Sequence, residues 1–247
     1  MNAATSTFPS SSDQTSHALC ATLDGRVVDR RDASAVLRLA LEAFSGRIAL
    51  VSSFGTESAL LLDMAAEINR AIPVIFLDTG KLFPETLDYR DALIGRLGLT
   101  DVRIIRPAAP VIERHDPDGT LWRGNADRCC SIRKTLPLQT ALDEFDAWIT
   151  GRKRFQSAAR KEVGLFEPDT AGRVKVNPLA FWSADHIAQE FEDRDLPRHP
   201  LEAYGFLSVG CTTCTAPVAD GADRRAGRWP GQPKTECGIH SAAAAFA

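Results

Sequence analysis

Apolar residues recur at helical spacing through residues 32–44 (DASAVLRLALEAF), with Asp32 or Ser34 as the helix start. A short unbroken apolar run, Ile48 to Val51, then gives way to the polar turn SSFGTES (residues 52–58) and a second helical stretch over 58–70. Val74 to Leu77 repeats the strand pattern and closes in Asp78-Thr79-Gly80; Pro84 opens a helix reaching Leu97, and Val102 to Ile105 is a third strand. Ala147 to Thr150 reads as a further strand ending in Gly151-Arg152-Lys153-Arg154, and Val174 to Val176 as a short one. Ser183 caps a later helix, with Trp182 and Ile187 placed as a hydrophobic staple. Strands that are apolar at every position and alternate with helices need cover on both faces. The predicted fold is therefore α/β, a Rossmann-like, doubly wound, mainly parallel sheet.

The flanks differ from this middle. Residues 1–30 begin with a stretch rich in Ser, Thr and Ala and read as a flexible N-terminal tail; residues 31–216 form the α/β domain. Residues 217–247, rich in Gly, Pro, Arg and Asp, read as a mobile C-terminal segment. The N-terminus has neither the basic start nor the apolar core of a secretory signal, and no apolar run approaches a membrane span of ~18–20 residues. A cytoplasmic protein without a membrane partner is expected, in a compartment that keeps thiols reduced. A net charge of −3 and a pI near 6.0, with no basic stripe, argue against nucleic acid as a partner. Oligomeric state stays open, a homo-oligomer included.

Ligands of open parallel sheets bind beyond the carboxyl ends of the strands. Three such ends carry suitable groups here: Ser52, Ser53, Gly55, Thr56 and Glu57 after the first strand, Asp78 and Thr79 after the second, and Arg152 and Arg154 after a later one. From Arg128 to Lys161 there are eight Lys and Arg against three acids, which points to a phosphate- or sulfate-bearing ligand. Neither G-x-x-x-x-G-K-[ST] nor G-x-G-x-x-G occurs, so a Walker-type hydrolase and a nicotinamide enzyme lack support.

Five of the six cysteines fall into a pattern. Cys129 and Cys130 are adjacent, Cys211 and Cys214 form a C-x-x-C pair, and Cys237 stands alone in K-T-E-C-G-I-H. Two close thiol pairs far apart in sequence are what a tetrathiolate centre needs, leaving Cys237 free to react. Adjacent cysteines on a strand would face opposite ways, so Cys129-Cys130 must lie in a helix or turn. Zinc sites usually space paired ligands further apart, whereas a [4Fe–4S] cube presents separate irons and tolerates neighbours. The cluster is favoured, with zinc as the alternative. Cys20 and the other histidines (His17, His115, His186, His199) form no evident ligand set.

Cys129-Cys130 followed by Arg133-Lys134, the C-x-x-C pair and K-T-E-C-G-I-H resemble the assimilatory adenylyl-sulfate (APS) reductases, the iron–sulfur branch of the PAPS reductase family. S-S-F-G-T-E-S, L-D-T-G, T-G-R-K-R and A-G-R-W extend the match over roughly residues 35–240. The resemblance implies a fold of the adenine nucleotide α-hydrolase type and reduction of APS to sulfite and AMP. It implies Cys129, Cys130, Cys211 and Cys214 as ligands of a [4Fe–4S] cluster. It implies Cys237 as the nucleophile that expels AMP and becomes an S-sulfonate, with thioredoxin or glutaredoxin as reductant. Lys134, Arg152, Arg154, Arg225, Arg228 and His240 are then the candidates to offset substrate charge, with Lys153 and Arg224 expected to be solvated instead. Lys234 and His240 are candidates to help ionise Cys237. Pro233 departs from the family, which commonly has a basic residue there. The rival within the family is PAPS reduction or dual use. The rival outside it is an iron–sulfur or zinc regulatory protein.

Overall fold

The computed structural model describes residues 11–219 and 221–240. Six strands form one sheet in the order β3-β2-β1-β4-β6-β5: β1 Ile48–Ser52, β2 Val74–Leu77, β3 Val102–Ile105, β4 Ala147–Ile149, β5 Phe166–Pro168 and β6 Val174–Val176. All neighbours are parallel except β5, which runs antiparallel to β6. Chain order reverses direction between β1 and β4, whose register pairs Leu50 with Ile149. The expected mainly parallel α/β sheet is present.

Period-2 alternation divides the apolar runs between two cores. Ile48, Leu50, Val74 and Phe76 pack with α2 (Ala33–Ala43), α3 (Ser58–Ile68) and α4 (Pro84–Leu97), while Ala49, Ile75 and Trp148 pack with Leu138 and Leu142 on the other face. Caps fix the helix ends. Asp32 accepts from the Ala35 amide at 2.8 Å, Pro84 enters at the first turn of α4, and Gly98 ends it at φ 64°. Ser183 caps α9 (Ala184–Asp193) through the His186 amide at 3.2 Å.

One boundary is corrected. Ser11–Arg26 forms a helix, α1, packed on β5, where a flexible tail is expected; residues 1–10 lie outside the described residues. The cause is a stripe of small and apolar residues at helical spacing, Ser16, Cys20 and Leu23, all buried. Cys20 is thus a core residue, and burial pushes its thiol up to about 11.

Between β3 and β4 the chain forms α5 (Ala109–His115), α6 (Leu121–Gly124), α7 (Ala126–Cys130), a π turn (Ser131–Thr135) and α8 (Leu136–Ala141). The described part of the C-terminal segment folds back on the C-x-x-C pair. Ala216 N–H donates to Gly227 O at 2.8 Å, Trp229 N–H donates to Cys214 O at 3.0 Å, and the Trp229 ring is buried. Among the described residues no helix is long and apolar enough to cross a membrane.

Candidate functional site

A cleft opens at the carboxyl ends of β1 and β4, where the strand order reverses and the side chains of two connections meet. Its floor is the turn after β1. Phe54 adopts φ 48°, a conformation costly for an aromatic residue, and is held there by burial and an edge-on contact with Phe76 at 5.4 Å. The turn also bonds to itself: Phe54 N–H donates to Ser52 Oγ (3.1 Å), and Gly55 N–H donates to Ser58 Oγ (2.8 Å). Thr56 Oγ1 donates to Leu207 O at 3.2 Å. These bonds shape a rigid floor, and the Gly55 amide expected to greet an anion is already satisfied. Ser53 stays exposed in the cleft.

Cations dominate the walls. Lys134, Arg152, Lys153, Arg160, Arg224, Arg225 and Arg228 line the cleft, against the two carboxylates of Glu57 and Glu236. Glu57 is committed to this set: it takes Lys153 Nζ at 2.8 Å, Gln156 Nε2 at 2.9 Å and Arg224 at 3.4 Å. Burial would raise its pKa, but Lys153, Arg224 and Gln156 together hold it below the usual range. Lys153, expected to be solvated, has a side chain only 2% exposed. Arg152 donates to Asn177 Oδ1 at 3.2 Å and also pairs with Glu167. Arg225 and Arg228 each bury an Nε–H with no hydrogen-bond partner among the described residues, an arrangement that costs free energy until an acceptor arrives. Burial, with Arg160 nearby, pushes Arg225 down to about 10.

Cys237 is half-buried and lines the same cleft, between Glu236 and Ile239. His240 also lines it, stacked flat on Trp148 at 5.8 Å, with a buried Nδ1 that has no partner among the described residues. Burial, then Arg152, Arg160 and Lys175, drives its pKa well below the ordinary value. That environment favours the neutral imidazole, where a cation is expected. Lys234 pairs with Asp127 and stands over the Trp229 ring at 5.4 Å, away from a direct partnership with Cys237.

Behind this cleft lies a second, smaller cavity lined by Cys129, Cys130, Cys211 and Cys214 together with Lys81, Arg133, Lys134 and Trp229. Both adjacent cysteines face it because α7 ends at Cys130 and the π turn changes the helical register there. The same turn sends Arg133 to Asp116 (2.7 Å) and to Thr79 O (2.8 Å), while Lys134 stands between the two cavities. Gly210 precedes the C-x-x-C pair because a Cβ there would overlap the Arg228 guanidinium. Burial pushes Cys130 up to about 11. Cys211 goes the other way: burial would raise it, but Lys134, with Thr79 Oγ1 at 3.2 Å, holds it below the ordinary value. Among the described residues no three His, Cys, Asp or Glu side chains converge as tightly as a single ion requires.

Three expected substrate contacts lie elsewhere. Asp78 is taken by Arg106 Nε at 2.9 Å and by the Gly80 amide, and Thr79 faces Cys211. Arg154 lies over the Phe181 ring at 4.0 Å and donates to Val163 O. At each position the residue is adjacent to the cleft but the side chain points away. Arg160, buried in the cleft wall, is the residue that sequence reasoning passed over. Its only signal was membership of a basic segment.

The fold and site define an α/β protein whose switch-point cleft is lined mainly by cations and holds a half-buried thiol. The phosphoadenosine phosphosulfate reductase domain matches residues 47–217, and the chain belongs to that family. It is similar to the adenosine 5'-phosphosulfate reductase of Mesorhizobium japonicum, 51% identical over 82% of this chain and 80% of the relative. The phosphoadenosine 5'-phosphosulfate reductase of Gloeobacter violaceus is 43% identical over 84% and 88%. Among solved structures, the phosphoadenylyl-sulfate reductase from Candida auris superposes with a TM-score of 0.67 at 25% identity, over 85% of this chain and all (100%) of that one. The Candida glabrata FMN adenylyltransferase, at 12% identity and a TM-score of 0.56 over 85% and 75%, shares the fold alone.

Proposed function

We propose that this protein reduces adenylyl sulfate to sulfite and AMP in sulfate assimilation, with Cys237 as nucleophile. The observation that carries this reading is the separation of thiols: Cys237 stands in the anion cleft at the switch point, while four others are buried together in the adjoining cavity. The Cys237 thiolate attacks the sulfate sulfur, the bond from that sulfur to the AMP oxygen breaks, and AMP departs with the electron pair. Cys237 is left as an S-sulfonate. A dithiol protein, thioredoxin or glutaredoxin in the cytoplasm, then attacks the Cys237 sulfur, expels sulfite and closes its own disulfide, supplying the two electrons. Arg225 and Arg228, with unpaired buried donors, and Lys134 stabilise charge moving onto the phosphate. The C-terminal segment closes over substrate and opens to the reductant.

Cys129, Cys130, Cys211 and Cys214 would hold a [4Fe–4S] cluster. The donor set fits: four buried thiols around one cavity, two of them adjacent in sequence as separate irons tolerate, with Lys81, Arg133 and Lys134 to offset thiolate charge. Bound there, the cluster supplies a fixed tie between the two thiol pairs and a constant local charge. Relatives named for phosphoadenosine phosphosulfate support a second substrate, which comparison of turnover on the two compounds decides. Incubation with APS and no reductant, followed by mass spectrometry, is expected to find a sulfonate on the Cys237 peptide. An unmodified peptide overturns the reading.

A further inference from the structure

We infer that Glu236 is a positioning residue: its ion pair with Arg160 is a latch that sets Cys237 in register with the nucleotide side of the cleft. The inference rests on the reading of Cys237 as the nucleophile. Arg160 grips Glu236 along one edge of its guanidinium in a bidentate pair, Nε to Oε1 at 2.6 Å and Nη2 to Oε2 at 2.8 Å. Arg225 reaches Oε2 at 3.3 Å and the Thr235 carbonyl at 3.1 Å, so two arginines hold the residues just before the thiol. The side chains are shielded, 10% exposed for Arg160 and 19% for Glu236, so solvent screens the pair only in part. Burial would raise the Glu236 carboxyl, yet Arg160 holds it below the ordinary range, and it stays ionised.

The latch is joined to the floor of the cleft. Arg160 Nη1 donates to Gln156 Oε1 at 2.5 Å, and Gln156 Nε2 donates to Glu57 Oε2 at 2.9 Å. Glu57 ends the turn that Phe54 holds in its strained conformation. An unbroken set of charge-assisted bonds therefore runs from that turn to the residue preceding Cys237. Arg160 spends three donors on this set, whereas Arg225 and Arg228 keep a buried Nε–H unpaired. The division of labour follows: Arg228 and the Nε–H of Arg225 greet the substrate anion, while Arg160, supported by Arg225 Nη2, holds Glu236 and aims the sulfur.

Two half-reactions separate the latch from a residue that only braces the fold. In a single turnover with APS and no reductant, Glu236→Gln is expected to form the Cys237 sulfonate roughly tenfold to a hundredfold more slowly, the scale of a misplaced reacting atom. AMP affinity and iron content should match wild type. Release of sulfite by thioredoxin from protein already sulfonated should be as fast or faster, because the segment opens more readily. Glu236→Asp should recover part of the first rate. Adding Arg160→Gln to Glu236→Gln should cost clearly less than the two single losses combined, since their shared pair cannot be broken twice and only the Arg160–Gln156 bond is left to lose. Wild-type sulfonation in Glu236→Gln, a parallel loss of AMP affinity, or losses that multiply in the double variant would each overturn the latch. Absence of sulfonate in the wild-type protein would instead sink the nucleophile assignment, so the two failures are distinguishable.

Discussion

The four thiols of the inner cavity are 7–8% exposed and sit on backbone pinned by the π turn, the Asp116–Arg133 pair and the fold-back of Trp229; Cys237 is half-buried on a segment held by side-chain ion pairs. The same side chain thus meets two kinds of support. Burial opposes ionisation of a thiol, which is why Cys130 is pushed up and why Lys134 is needed to bring Cys211 down. A fixed, dry set with nearby cations suits ligation. A half-buried thiol on a segment held by side-chain ion pairs suits the proposed chemistry, which must face two partners in turn. Lys134 and Trp229 line both cavities, and Lys134 is the charged one of the two.

The largest effects should come from breaking the contrast outright. Cys237→Ser is expected to abolish sulfite formation, ~10⁴-fold or more, as loss of a nucleophile does, while iron and sulfide stay at wild-type levels. Cys211→Ser should do the reverse in kind, losing iron, sulfide and thermal stability together with activity. Metal analysis alongside turnover checks both, and a Cys211→Ser protein with full iron would collapse the division. Lys134→Ala is next. Turnover should fall about 10²-fold, the worth of one electrostatic donor at the reacting group, with a smaller effect on stability. A variant with wild-type rates would remove Lys134 from the site and leave the two regions without a shared charge.

Much of this was legible because each signal had one physical reading. Unbroken apolar runs at residues 48–51 and 74–77 can only be strands covered on both faces, and Asp32, Pro84 and Ser183 mark helix starts by chemistry that acts locally. The placement of the adjacent cysteines was legible too, since neighbours cannot face one way on a strand, and they lie at the end of α7. Direction was not. Asp78, Thr79 and Arg154 follow strand ends as expected, yet their side chains turn to Arg106, Cys211 and Phe181. Lys153 and Arg160 point inward from the same basic stretch, and composition cannot say which of several neighbouring cations does so. Helix α1 escaped because its buried stripe is made of Ser16, Cys20 and Leu23, a pattern that a Ser- and Ala-rich segment conceals.

A smaller effect sharpens the comparison by separating the scaffold from both thiol regions. His199 is 1% exposed; its Nδ1 accepts the Leu201 amide at 3.2 Å, so the proton sits on Nε2, 3.1 Å from Thr86 Oγ1. Burial pushes its pKa down to about 4, with Glu85 opposing weakly. The unfolded chain, with a histidine near ~6.5, takes up the proton first, so below that pH the unfolded state binds more protons than the native one. Stability from this group is complete above about 6.5 and is lost as pH falls toward about 4. Between pH 7 and pH 4.5 the loss should be about 2–3 kcal/mol at ~1.4 kcal/mol per unit. Urea unfolding at both pH values should show that much more acid loss in the wild-type protein than in His199→Gln. Identical pH slopes would mean that acid weakens the protein elsewhere. Acid inactivation would then have to be sought in the ion pairs that hold Cys237 rather than in the scaffold beneath α4.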